Sequence, residues 1–174
     1  MDIDGRLLCT KLTLDKFSFQ IINIYAPNDP SRRSYFLSKI PEYSFNDVPT
    51  ILAGDFNMVE NILLDRTDSK NVQSTIGLNE IDQIKVGFDL QDLWRKRFPN
   101  RKQFTWSNGQ QTHQSRIDRI YIPSNWITKS SNANILPFSW SDHDLVTSTF
   151  DLPQNSIRGP GTWKLNTSVL QEQA

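Results

Sequence analysis

The sequence predicts an α/β fold with mixed, mainly antiparallel sheets packed together and helices outside, and three observations carry that prediction. Apolar runs of strand length intermingle with stretches of helical spacing, without a regular strand–helix–strand rhythm. Asp and Asn occur 15 and 14 times, against 4 each for Glu and Ala, a bias toward turns and caps and away from long helices. Leu, Ile, Val and Phe make up 48 of the 174 residues, and the 19 Lys and Arg balance the 19 Asp and Glu. A chain of this size and composition buries roughly two-thirds of its unfolded surface. It is excluded from the disordered class, which needs few apolar residues and a high net charge. It is also excluded from the proteins that find nucleic acid by bulk charge, so any such binding has to come from a local patch.

Residues 7–14 alternate roughly apolar with polar, and 17–25 (FSFQIINIY) form a largely buried run that stops at Ala26-Pro27-Asn28-Asp29-Pro30. Two such runs joined by a short link predict a hairpin. Pro30 leads into a short helix over 31–40 with Phe36, Leu37 and Ile40 inward. Residues 49–54 are a short buried-strand type, followed at once by Asp55-Phe56-Asn57. Residues 61–74 read as loop. The spacing of Ile76, Ile81, Ile84 and Phe88 predicts a helix over 76–88 with Thr75 as its N-cap, and 90–98 reads as another short helix. Residues 104–106 enter a turn at Ser107-Asn108-Gly109 and 116–122 leave it, a hairpin with a long loop. Residues 135–138 and 145–150 complete the strands. Beyond Leu152, Pro153, Gly159, Pro160 and Gly161 mark a linker, and Thr167 stands where it would cap a further helix.

The single cysteine, Cys9, allows no intramolecular disulfide, and Met1-Asp-Ile-Asp has neither the basic nor the apolar region of a signal peptide. No run approaches 18 apolar residues. A soluble, intracellular protein with no membrane partner is expected.

Four segments set polar groups at the tips of apolar strands: Asn23 to Asn28, Gly54 to Asn57, Ser115 to Asp118 and Ser141 to Asp144. A side chain at a strand tip is held rigidly and still reaches solvent, although an Asp there is most often a turn residue. Asp118 shares a strand face with Ile120 and Ile122, and a carboxylate on an apolar face needs a partner. Arg116 or a histidine from elsewhere would serve. His143 lies between Asp142 and Asp144, either as a surface turn residue or as a positioned acid or cation; His113 reads as a solvated loop residue. The stretch 94–106 holds five cations, Arg95, Lys96, Arg97, Arg101 and Lys102, and four aromatics. It is either a phosphate-binding and base-stacking patch or a solvated helix face with aromatic anchors.

The spellings INIYAPN, LAGDFN, SRIDRIYIP and SDHDLV, in this order, resemble the endonuclease/exonuclease/phosphatase superfamily and are closest to the apurinic-type endonuclease domain of non-LTR retrotransposons. The tail from Gly159 to Ser168 is similar to the segment that joins that endonuclease to a reverse transcriptase. The resemblance implies a four-layer α/β/β/α sandwich and Mg²⁺-dependent phosphodiester hydrolysis. By the same resemblance, Asp55 would orient or deprotonate the attacking water and Asn57 would hold that water and a phosphate oxygen. Tyr25 would contact the scissile phosphate and Asp118 would hold the His143 imidazole, which donates to the phosphate. Asp142 would lie on the metal side. Thr105 would touch the DNA backbone at the base of a groove-probing loop over 107–114, and Arg95, Lys96, Arg97, Arg101 and Lys102 would bind nucleic acid.

The resemblance also implies an active-site Asn on a first strand and a metal-binding Glu, usually after Gln, on a later one; neither motif is in the sequence. Glu42 follows Pro41, Glu60 follows the GDFN turn, Glu80 falls in an expected helix and Glu172 in the tail. The expectation is therefore the carboxyl-terminal part of the domain over 1–152, a partial sandwich with an incomplete Mg²⁺ site, and a linker over 153–174 toward an absent reverse-transcriptase region. The expected function is that of a truncated Mg-dependent phosphodiesterase resembling a retrotransposon endonuclease that nicks duplex DNA. The alternatives are a non-catalytic relic with at most weak nucleic-acid binding, or a phosphoesterase acting on small substrates. An uncovered sheet surface is expected to favour self-association, and an element-derived protein would be nuclear.

Overall fold

The structure is a computed structural model that describes residues 5–14, 17–45, 47–67 and 75–151. The linker and helix cap expected over 153–174 lie outside the described residues. Strands β1 (Leu7–Leu14) and β2 (Phe17–Tyr25) form the expected antiparallel hairpin, with Leu7 opposite Ile24 and Leu14 opposite Phe17. Helix α1 (Pro30–Lys39) is capped by the Asp29 carboxylate on the Arg32 N–H and starts on Pro30, whose missing N–H costs nothing there. It carries the chain to β3 (Thr50–Asp55), parallel to β2. Strand β7 (Asp118–Pro123) runs antiparallel to β3, and β4 (Leu90–Asp92) pairs on its far side, giving the order β1-β2-β3-β7-β4.

The two-residue period of the strands decides the layers. Ile22, Ile24, Leu52 and Tyr121 face α1 and α3 (Leu78–Gly87), against Phe36, Leu37, Ile81 and Ile84. Phe19, Ile51 and Ile122 face the other way, onto Trp126 and a second sheet of β8 (Ser130–Leu136) and β9 (Leu145–Phe150) through Ala133 and Ile135. Helices, a mixed but mainly antiparallel sheet and a second antiparallel sheet stack in that order, the α/β sandwich that the sequence predicts.

Four local expectations are corrected. Residues 62–65 form a short helix, α2 (Ile62–Asp65), because the Asn61 side chain accepts from the Leu63 and Leu64 N–H groups. Gly77, at φ 101°, precedes α3 in place of a Thr75 cap. Residues 90–97 split into β4 and α4 (Leu93–Arg97), since Leu90 joins the core and the Asp92 carboxylate caps the Arg95 N–H. Strand β8 begins five residues before the expected 135, at Ser130, paired along β9. A two-stranded hairpin of β5 (Trp106–Ser107) and β6 (Gln114–Ser115) leads into β7.

A buried ionic cluster ties these parts together. Asp65, at 0 % exposure, receives Arg116 at 2.8 Å and Arg95 at 2.5 Å, and Arg119 lies 3.8 Å away. Arg116 also reaches Asp92 at 2.7 Å. Glu60 accepts from the Tyr121 hydroxyl and from Lys85. Burial pushes the Asp65 carboxyl up, but Arg116, Arg119 and Arg95 outweigh it and leave the pKa below the usual value of 3.8. Asp65→Asn removes the anion that Arg95, Arg116 and Arg119 share, and its expected cost is about 3–5 kcal/mol in urea denaturation at pH 7. Because the native pKa is depressed, the gap between parent and variant is full above about pH 4 and closes as the pH falls through the native value. A gap that stayed constant down to pH 2 would place the stabilisation elsewhere.

Candidate active site

Three candidate side chains stand in one row because of strand register. Tyr25 is the parallel partner of Asp55, and Asp55 is the antiparallel partner of Asp118. All three point toward the face shared by Ile51 and Ile120, at the ends of β2 and β3 and the start of β7. Gly54 allows the approach: its φ is 131°, and a Cβ there would overlap the Ile24 carbonyl.

The turn after β3 is locked. The Asn57 N–H donates to Asp55 Oδ1 at 2.8 Å, its Nδ2 donates to the Ala26 carbonyl at 2.7 Å, and its backbone sits at φ 50°, a conformation asparagine tolerates. Arg33, buried on α1, donates Nη1 to the carbonyls of Asn28 and Asn57, both at 3.0 Å, and so joins the loops after β2 and β3.

His143 reaches the row from the loop before β9: its Nδ1 lies 2.9 Å from Asp118 Oδ2. The partner of Asp118 is thus histidine and not Arg116, which is spent on Asp65 and Asp92. That loop is pinned to the 105–107 segment, with the Asp144 N–H on the Thr105 carbonyl at 2.7 Å and the Ser107 N–H on the Asp142 carbonyl at 3.0 Å. Thr105 is 0 % exposed, and its hydroxyl accepts the Ile117 and Asp118 N–H groups, both at 3.0 Å. It positions Asp118 and has no surface to offer a DNA backbone, contrary to the sequence expectation. A cavity of about 480 Å³ opens over the row, lined among others by Tyr25, Asp55, Asn57, Trp106, Asp142 and His143.

Ligand atoms of Asp55, Asp118 and His143 lie within 4.8 Å of one another, the group among the described residues able to hold a metal ion. Asp142, expected on the metal side, is outside this group; its carboxylate accepts the Trp106 Nε1–H at 2.9 Å, which holds its pKa below the usual value. The basic stretch divides. Arg95 is turned inward onto Asp65 and the carbonyls of Phe98, Pro99 and Arg101, and Arg97 donates to the Ser130 carbonyl. Both are spent on the fold, and Lys96, Arg101 and Lys102 are the exposed members. Sequence reasoning missed Arg33, Arg66 and Trp106, all of which line the cavity. Arg33 had a signal, since 33, 36, 37 and 40 make one helical stripe.

Burial drives the Asp55 carboxyl up to about 6, helped by the neighbouring Asp118 and only partly offset by the Asn57 N–H, His143 and Arg119. A native carboxyl that keeps its proton to higher pH than the unfolded one costs stability as the pH rises from about 4 through 6. Asp55→Asn is therefore expected to raise the denaturation midpoint at pH 8 and to leave it unchanged at pH 3.5. Chemical denaturation at the two pH values checks this, and an equal shift at both would contradict the raised pKa.

Comparison with known proteins places this geometry. The Endonuclease/Exonuclease/phosphatase family matches residues 5–143. An uncharacterized 149 kDa protein of transposon TX1 from Xenopus laevis is 30% identical over 178 residues, covering 98% of this chain and 13% of that protein. Among solved structures, a Neisseria 3′ phosphatase, NExo, bound to a product DNA hairpin superposes with a TM-score of 0.69 at 18% identity, over 84% of this chain and 65% of that one. The endonuclease domain of TRAS1, a telomere-specific non-LTR retrotransposon, gives 0.61 at 13% identity, over 86% and 65%. The chain thus spans about two-thirds of these solved chains and a small part of the transposon protein. No helix of the described residues is long and apolar enough to cross a membrane. With its strand-end motifs on the fold of these nucleases and the family match running over most of its length, the chain belongs to the endonuclease/exonuclease/phosphatase family.

Proposed function

We propose that this chain carries the carboxyl-terminal share of a Mg²⁺-dependent phosphodiesterase site that nicks DNA. The observation behind the proposal is the row of Asp55 and Asp118 with His143 bonded to Asp118, in which Asp55 and His143 line an open cavity. Hydrolysis of a phosphodiester needs an activated water, positive charge on the non-bridging oxygens and help for the leaving alkoxide. Asp55, in its ionised form, accepts the proton of the water. Asn57 orients that water through the amide hydrogen not engaged by Ala26. Asp118 fixes the imidazole of His143 through Nδ1, which leaves Nε2 to meet the phosphate. Tyr25, half-exposed at the rim, donates to a phosphate oxygen.

The donors fit an oxygen-preferring divalent cation, since Asp55 and Asp118 offer carboxylates in one row and Mg²⁺ keeps several of its waters. Asp55, with Asp118 beside it, would hold the ion, which when bound supplies positive charge to the phosphate oxygens. Lys96, Arg101 and Lys102 are left to meet the DNA backbone. The transposon-like relative and the DNA-bound structural neighbour favour a nucleic acid over a small phosphoester. The segment 153–174 is read as a linker toward a further region, because the Xenopus match runs over 98% of this chain inside a much longer protein.

The Asn and Glu that the resemblance places on earlier strands would have to come from an amino-terminal part. The test is a hybrid in which the amino-terminal part of the TRAS1 endonuclease domain is joined to this chain. With Mg²⁺ it is expected to nick supercoiled DNA, whereas residues 1–174 alone remain at background. Asp55→Ala and His143→Ala are each expected to slow the hybrid roughly 100-fold or more, and Asp118→Asn to be similarly damaging. Nicking by residues 1–174 alone that Asp55→Ala abolishes would show the amino-terminal groups to be dispensable, and a folded hybrid without activity would defeat the proposal.

A further inference from the structure

Trp140 has 91 % of its surface exposed, the most open of the large apolar side chains among the described residues. Its ring lies 6.3 Å from that of Phe138, itself exposed, and Leu136 and Leu145 at the adjoining ends of β8 and β9 are exposed as well. Contiguous apolar surface of this kind marks a contact site more often than chance. The loop that presents it is anchored. The Ser141 N–H meets the Phe138 carbonyl at 3.3 Å, the Phe138 N–H meets Asp144 Oδ1 at 3.3 Å, and the His143 N–H meets Ser141 Oγ at 3.0 Å. The indole is therefore held out by a closed turn whose other end is the His143 of the candidate site.

We propose that Trp140, backed by Phe138, is a stacking platform for an unpaired nucleobase flanking the phosphate held at the cavity. This rests on the nucleic-acid reading of the site. Trp140 stands three positions before His143, so their Cα atoms are at most about 11 Å apart, within reach of a nucleotide next to the scissile phosphate. An exposed indole offers a flat apolar face, for which the uncharged face of a base is the fitting partner. A base inside a duplex has both faces covered, so the ring selects one that is single-stranded, frayed or turned out of the helix. The preferred substrate is accordingly DNA with an unpaired nucleotide beside the cleavage point.

Fluorescence anisotropy on the full chain tests this with two labelled probes: a short single-stranded oligodeoxynucleotide, and an abasic sugar-phosphate oligomer of the same length. Trp140→Ala is expected to weaken binding of the base-bearing strand about tenfold, with its salt dependence unchanged because no phosphate contact is lost. Binding of the abasic oligomer should not change, and Trp140→Phe should keep most of the affinity. Val86→Ser, which removes an exposed apolar residue on α3, should alter neither. A thermal melt of Trp140→Ala that matches the parent excludes unfolding. Unchanged binding in Trp140→Ala, or an equal loss on the abasic oligomer, overturns the inference while the nucleic-acid reading stands. Unchanged binding together with conversion of a self-associated parent to monomer assigns the patch to a protein contact and overturns it too. A parent that binds neither probe removes the nucleic-acid reading and this inference with it.

Discussion

The carboxylate of Asp65 is the point on which the candidate site rests. It sits with no solvent access among Arg95, Arg116 and Arg119, so a single anion joins α2, α4 and the segment that enters β7. An isolated buried charge costs several kcal/mol, whereas one met by several guanidinium donors is held below its usual pKa. Two residues beyond Arg116 the chain places Asp118. The arginines that flank Asp118 in SRIDR thus belong to the foundation beneath the site, while Asp118 itself is free to meet His143.

Register does the rest. Because β3 and β7 pair with Asp55 opposite Asp118, two carboxylates stand on one face with Tyr25 beside them. That arrangement is unfavourable in itself: burial and the neighbouring acid hold the Asp55 proton to about pH 6. A fold that crowds two acids at a strand end, and orients the second toward an imidazole through the Thr105 hydroxyl on its backbone, gives up stability there, which is the pattern of a functional site and not of a packed core.

Much of this was legible in the sequence. The hairpin of β1 and β2 and the strand before GDFN follow from apolar period, whereas the grouping of Tyr25, Asp55, Asp118 and His143 came only through the family resemblance, because period fixes the face a side chain takes and not which strand ends and loops meet. What escaped depends on contacts between distant segments. Arg95 and Arg97 look like phosphate-binding cations in a basic run, and only the position of Asp65 and of the Ser130 carbonyl makes them structural. Thr105 and Asp142 have the residue types of a contact surface, yet Asp118's backbone and the Trp106 indole take up their polar atoms. The break of 90–97 into β4 and α4 was hidden because the edge of β7 accepts three residues that helical spacing alone would have kept in the helix.

The proposed function depends above all on a divalent cation held by Asp55 with Asp118 beside it. Titration of the isotope-labelled chain with Mn²⁺, followed by paramagnetic broadening of its amide signals, tests that claim most directly. Residues 54–57, 117–119 and 142–143 are expected to broaden first and together. Early broadening around exposed carboxylates such as Glu42 or Asp82, with the signals of 54–57 left sharp, would contradict it.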